Sequence, residues 1–196
     1  MLTEMPVAPS KEKEQDVERD LMTRALTGDT ESYGQLFELC RPRVHRMAYG
    51  ILHDSASADD VVQEAFLRGL DRISTYRGES APRAWFLSIA LNVCRHRIRE
   101  SKHLEGANDR TLEAGKRIFR PRTRAVASKV IQQENHRLLA LAMGFLTESQ
   151  REVFLLHYDQ NLSYEDIGQI LDMRPGAARA LAHRAKANLR RHLSSA

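Results

Sequence analysis

The chain has 196 residues, 42% of them apolar and 29% charged, with a formal net charge of +4. This is enough apolar material for one medium core or two small ones, and it excludes a disordered chain. Ten glycines and six prolines are too few for a turn-rich β architecture, and two cysteines, Cys40 and Cys94, make neither a disulfide framework nor a metal-ligand pattern. They read as small buried hydrophobes in a reducing compartment.

The first stretch, MLTEMPVAPSKEKEQD, is polar, contains proline and lacks the apolar centre of a signal peptide. Residues 1–16 therefore read as a disordered leader. No apolar run approaches the roughly 18 residues of a membrane span, so a cytoplasmic protein with no membrane insertion is expected. From 17 to 100 the pattern is helical. One helix starts near Ser32 and carries Tyr33, Leu36, Phe37, Cys40, Val44, Met47 and Ile51 at spacings of three and four. Pro42 predicts a kink or break in it. HDSASADD ends that unit, with Ser57 as the expected N-cap and Asp59 and Asp60 in the first turn of the next helix. There Val62, Phe66, Leu70 and Ile73 share a face. RGES breaks the helix. Ser80 is then expected to cap another, with Pro82 in its first turn.

Residues 101–133 have poor periodicity and read as a linker. Residues 116–129 hold six basic residues and no acid. Two readings stay open for them, a solvated tether and a contact to nucleic acid or polymerase. From 134 to 196 the pattern is helical again. Thr147 and Gln150 have capping-box spacing, so a helix should start near Glu148 and run through REVFLLHY. Asn161 marks a turn, Ser163 caps YEDIGQILD, and a turn over residues 173–176 leads into a last helix.

Charge separates sharply in this last third. Residues 134–173 hold seven acids and two bases, whereas residues 174–196 hold six bases and no acid. Two short helices, a tight turn and a second, basic helix make a helix-turn-helix pattern. In the last helix Ala178, Leu181, Ala182, Ala185 and Leu189 form the inward stripe. Arg179, His183, Lys186 and Arg190 face the other way, with Arg184 flanking. Such a face can reach base edges and phosphates in a major groove. The fold class expected is all-α, two small helical domains joined by a flexible linker, the C-terminal one a helix-turn-helix. No nucleophile–base pair, metal-ligand spacing or phosphate-binding glycine loop is found, so no enzyme, no cofactor, no metal and no small-molecule substrate are expected.

The segment LTESQREVFLLHYDQNLSYEDIGQILDMRPGAARALAHRAKANLR resembles region four of the extracytoplasmic-function sigma factors. DDVVQEAFLRGL resembles the region 2.2 helix of that family, and YRGESAPRAWFLSIALNVCRHRIR its regions 2.3 and 2.4. The two matches lie in the family's order and cover roughly residues 20–100 and 134–193. The resemblance implies a region 2 domain over 17–100 that binds core RNA polymerase and the minus-ten element. It implies a region 4 domain over 134–196 that binds the minus-thirty-five element, and an anti-sigma factor as a further partner.

Residue by residue, the resemblance places Asp59, Asp60, Gln63 and Glu64 on the helix that grips polymerase. Residues 54–71, with five acids and one base, suit a polar protein interface better than DNA. It places Arg77, Trp85, Asn92, Arg95, Arg97 and Arg99 at the minus-ten element. Trp85 reads as core packing ahead of base stacking. Asn92 is implied to lie on a loop cradling a flipped base. Arg174, Gly176, Arg179, His183, Arg184 and Lys186 fall at the minus-thirty-five element. Ala177, Ala180 and Leu181 replace the family's polar residues and narrow readout to Arg179, His183 and Arg184. Two other readings remain: a helix-turn-helix regulator acting without polymerase, and a sigma-like decoy that sequesters an anti-sigma factor.

Overall fold

The computed structural model describes residues 11–108 and 143–193, and every regular element among them is helical, as the sequence predicts. Residues 1–10, the basic stretch 116–129 and residues 134–142 lie outside the described residues. The elements are α1 (Lys11–Leu26), α2 (Thr30–Leu52), α3 (Ser55–Asp71), a 3-10 turn (Ile73–Thr75) and α4 (Pro82–Asn108). After them come α5 (Glu148–Phe154), a π-helical segment (Leu155–Asp159), α6 (Tyr164–Leu171) and α7 (Pro175–Leu193).

Helices α1 to α4 pack on one another around an aromatic cluster. Tyr33 and Phe37 on α2 meet Phe66 on α3 and Phe86 on α4, with ring centroids 4.9–5.8 Å apart in tilted and edge-on arrangements. The Tyr33 hydroxyl donates to the Phe66 carbonyl at 2.6 Å. Gly69 lets this cluster close, since a Cβ there would lie 2.5 Å from Tyr33 Oη. Both cysteines are buried free thiols. Burial pushes Cys94 up to about 12 and Cys40 up as well.

Local departures from the sequence expectations have physical causes. Helix α2 runs unbroken through Pro42. Pro42 is exposed, so the carbonyl one turn back that loses its donor is open to water, while Cys40 and Val44 on the inner face hold the helix to its neighbours. The cap of α3 is Asp54 and not Ser57, whose amide and hydroxyl both donate to the Asp54 carboxylate, at 2.8 and 2.7 Å. The inner face of α3 is made by Ala58, Val61, Val62, Ala65 and Gly69. Leu70, expected inside, is exposed beside Leu67, because small residues turn the helix to fit under the aromatic cluster. Ser80 does not cap α4; its carbonyl accepts from Tyr76 Oη at 2.6 Å, and Pro82 is the first helical residue. Helix α1 begins at Lys11, inside the expected leader, and α4 continues to Asn108, inside the expected linker.

In the C-terminal unit the predicted caps are in place. Thr147 and Gln150 form the reciprocal capping box of α5, and Ser163 Oγ accepts from the Asp166 amide at 3.0 Å. Asn161 and Asp172 take left-handed φ values of 55° and 52° where the chain turns. The two units are not separate in space. Helix α6 packs on α4 and the π segment packs on α2, so the buried apolar residues form one connected core.

Candidate nucleic-acid interface

The helix-turn-helix is α6, a turn over residues 172–174, and α7. The turn is one residue earlier than expected, because Pro175 opens α7 and Gly176 lies in its first turn. What closes it is Gly168 on α6. Its carbonyl accepts from the Met173 amide at 2.9 Å, and a Cβ on Gly168 would lie 2.6 Å from the Met173 carbonyl. Helix α7 then buries Ala178, Ala182, Ala185 and Leu189, while Leu181 is half-buried. The small alanines bring α5 and α6 close. The opposite side exposes Arg174, Arg179, His183, Arg184, Lys186 and Arg190. Arg184 Nε donates to the Ala180 carbonyl at 3.3 Å. The Arg179 guanidinium lies 5.2 Å from the Tyr164 ring centre, and Lys186 Nζ lies 5.7 Å from that of Tyr158. Gly176 has open space around it.

In the N-terminal unit, acids and arginines that the resemblance assigns to different partners stand together. Arg97 Nη1 donates to Asp60 at 3.1 Å and Nη2 to Glu64 at 3.2 Å, bridging α4 to α3, and Glu64 also pairs with Arg68. Asp59 lies 3.4 Å from His45, and Gln63 is exposed. Pairs this exposed contribute about 0–1 kcal/mol each. Arg95 reaches the other unit: its Nε and Nη2 donate to the two carboxylate oxygens of Glu152 on α5, each at 2.7 Å. Arg99 is exposed and donates to the Arg95 carbonyl. Arg77 is exposed in the loop before α4.

Trp85 is half-buried, with ring centroids 5.0 Å from Phe86 and 5.8 Å from Tyr76, so one side serves the core. Asn92 is exposed but lies in the middle of α4, not on a loop. The run WFLSIALNVCRHRI keeps helical periodicity without Gly or Pro, which is why the backbone does not open there. Asn92, Arg95 and Arg99 are spaced by three and four and share one face of the helix.

Glu152, Gly168, Tyr158 and Tyr164 join the site only in the folded chain. Glu152 carries a signal, being a charge set among Val153, Leu155 and Leu156 where a helix needs apolar residues. It is 3% exposed. Gly168 is a glycine inside a short helix just before a turn, which marks close backbone approach.

Residues 36–103 match the model of Sigma-70 region 2, and residues 136–189 match that of Sigma-70, region 4, together more than half of the chain. Among curated relatives, the chain is 29% identical over 177 residues to the ECF RNA polymerase sigma factor BldN of Streptomyces coelicolor, covering 89% of this chain and 65% of BldN. It is 26% identical over 172 residues to the "Probable RNA polymerase sigma factor RfaY" of Xanthomonas campestris pv. campestris, covering 88% of this chain and 43% of RfaY. The chain thus spans less than two thirds of the length of either. Among solved structures, the sigma factor RpoE of Bartonella quintana, in complex with the anti-sigma factor NepR, has the same fold. The TM-score is 0.65 at 21% identity, over 84% of this chain and 98% of that one. With both regions matched in order over this helical frame, the chain belongs to the sigma-70 family, in its extracytoplasmic-function group.

Proposed function

We propose that the protein is an alternative sigma factor that binds core RNA polymerase and directs promoter recognition and transcription initiation. The observation that carries the reading is the pairing, in one chain, of an exposed basic recognition helix with a second unit of different surface character. Helix α7 offers Arg179, His183 and Arg184 to the minus-thirty-five duplex, with Arg174, Gly176 and Lys186 at its backbone. Helix α3 offers Asp59, Asp60, Gln63 and Glu64 to polymerase, with exposed Leu67 and Leu70 alongside as apolar contacts. Helix α4 and the loop before it offer Arg77, Trp85, Asn92, Arg95, Arg97 and Arg99 to the minus-ten strand. The domains proposed to do this work are an N-terminal one built on α1 to α4 and a C-terminal one built on α5 to α7.

The reading assigns the chain no catalytic step, since in such an assembly the polymerase performs the chemistry. It works in the cytoplasm, where core polymerase and promoter DNA are met. No helix among the described residues is long and apolar enough to cross a membrane. An anti-sigma factor is the proposed inhibitor, supported by the complex with NepR of a protein sharing this fold.

The test is assembly. The full chain is mixed with core RNA polymerase and run by size exclusion, with and without a pool of genomic duplex fragments. A stable complex with core that retains a subset of fragments is expected. Fragment binding equal with and without core favours a regulator acting alone. Absence of any complex with core overturns the reading.

A further inference from the structure

Arg179 and Lys186 are two helical turns apart, so they stand on one flank of α7. Each lies over an aromatic ring that comes from a different element. Arg179 lies over Tyr164, the first residue of α6, at 5.2 Å from the ring centre. Lys186 lies over Tyr158 of the π segment at 5.7 Å. Both distances fall within the roughly 6 Å at which a ring face attracts a cation. Arg184, on the same helix, instead donates to the Ala180 carbonyl.

The two rings are themselves held. His157 stacks on Tyr164, with centroids 4.3 Å apart and planes 24° from parallel, and its Nδ1 donates to the Leu162 carbonyl at 3.0 Å. Tyr158 meets His157 edge-on and Phe154 at a tilt, each at 4.8 Å. The π segment makes this row possible. The Gln160 amide donates to the Leu155 carbonyl five residues back, at 3.0 Å. With the turn so widened, the consecutive residues His157 and Tyr158 reach α6 and α7 respectively. Core packing alone does not explain the row, since Tyr158 is 38% exposed and Tyr164 only half-buried.

We infer that Tyr164 and Tyr158 are positioning residues of the DNA interface, ring platforms that hold Arg179 and Lys186 in place before the duplex arrives and while it is bound. A guanidinium resting on a ring keeps its N–H donors, which lie in its own plane, free for a phosphate or a base edge. A long side chain loses rotamer freedom on binding, and one already held loses less, so the platform strengthens the contact without touching DNA. The inference rests on the sigma-factor reading above for the duplex being a promoter. It gives the π segment a part in recognition, through the cations it supports.

Double-mutant cycles on the full chain test this, read by anisotropy of a short fluorescein-labelled DNA duplex of mixed sequence at low salt. Tyr164→Leu keeps an apolar side chain and removes the ring face. Circular dichroism checks its fold, and Tyr158→Leu, at the more exposed ring, reports if the first does not fold. Tyr164→Leu is expected to weaken binding roughly twofold to fivefold, the effect of one exposed cation–ring contact. The loss should vanish when Arg179→Ala is already present and remain whole beside Arg184→Ala. Tyr158→Leu should behave in the same way with Lys186→Ala. Tyr164→Phe, which keeps the ring, should bind as the unaltered chain does. An equal loss in the Arg179→Ala background overturns the positioning role, since a merely structural ring acts whatever cation is present. A loss in Tyr164→Phe overturns it too, because the hydroxyl then touches DNA directly. So does tighter binding by Tyr164→Leu, or no duplex binding by the unaltered chain. Failure to assemble with core polymerase sinks the sigma reading alone, since these titrations contain no polymerase.

Discussion

Replacing Gly168 by alanine isolates the turn on which the recognition helix depends. In an ordinary helix interior the change helps, because alanine is about 1 kcal/mol better than glycine. Here the new Cβ would sit 2.6 Å from the Met173 carbonyl, where ordinary contact begins at 3.4 Å, so the turn must give by about 0.8 Å. What must move is backbone, held by the Met173 amide on the Gly168 carbonyl and by the left-handed Asp172, with Pro175 following at once. Overpacking of that kind costs about 1–3 kcal/mol. The two effects oppose, and the clash wins: Gly168→Ala should lose about 1–2 kcal/mol. Gly176→Ala is the control, also helical but in open space, and should gain up to about 1 kcal/mol. Urea unfolding followed by circular dichroism reads both. The midpoint should fall for the first and rise for the second. Equal or greater stability of Gly168→Ala would show that the turn is not held as described.

Other substitutions test other parts of the account. Arg184→Ala should weaken binding at the upstream element by about 1–3 kcal/mol if the side chain makes a bidentate base contact; an unchanged affinity and base preference in a gel-shift titration would remove that role. Asp60→Ala combined with Glu64→Ala should lower affinity for core polymerase while helical content stays constant, and it also releases Arg97 from α3. Equal affinity in a pull-down would move the interface elsewhere. Tyr33→Phe removes a buried hydrogen bond to the Phe66 carbonyl and should cost about 0.5–1.5 kcal/mol by urea titration. A neutral result would mean that the carbonyl is satisfied within its own helix.

His53, at the left-handed end of α2, gives the pH dependence. Burial, with Arg151 nearby, holds it down at about 4, against an ordinary value of 6.5. Between those values the unfolded chain binds the extra proton, so stability is full above about 6.5 and falls as the pH drops towards 4. His53→Asn, which tolerates the left-handed backbone, should flatten the slope of urea midpoint against pH in that window. Parallel slopes for the two proteins would exclude this role for His53.

Much of the fold was legible because its determinants are local. The spacing from Tyr33 to Ile51 marks a helix face, and the Thr147–Gln150 pair and Ser163 mark helix starts. Errors came where tertiary context overrides a local rule. Of the kink or break expected at Pro42 the break is absent, Pro42 lying on the exposed side of α2. Leu70 did not turn inward, since Gly69 already fills the contact under Tyr33 and Phe86. The basic face of α7 was legible from the inward alanine stripe. The state of α4 was not: a run of arginines tells nothing of which carboxylates will meet them, and Arg95 and Arg97 find theirs on α5 and α3. Asn92 was assigned to a loop by family likeness, where its own neighbours favoured helix.

Run-off transcription with purified core enzyme and promoter-bearing templates asks whether the chain is a two-part promoter reader that works through polymerase. Discrete transcripts should appear only when the full chain is added, and they should disappear when the upstream or the minus-ten element is scrambled. Transcripts of the same pattern without the chain, or none on any template the chain and core together retain, would contradict it.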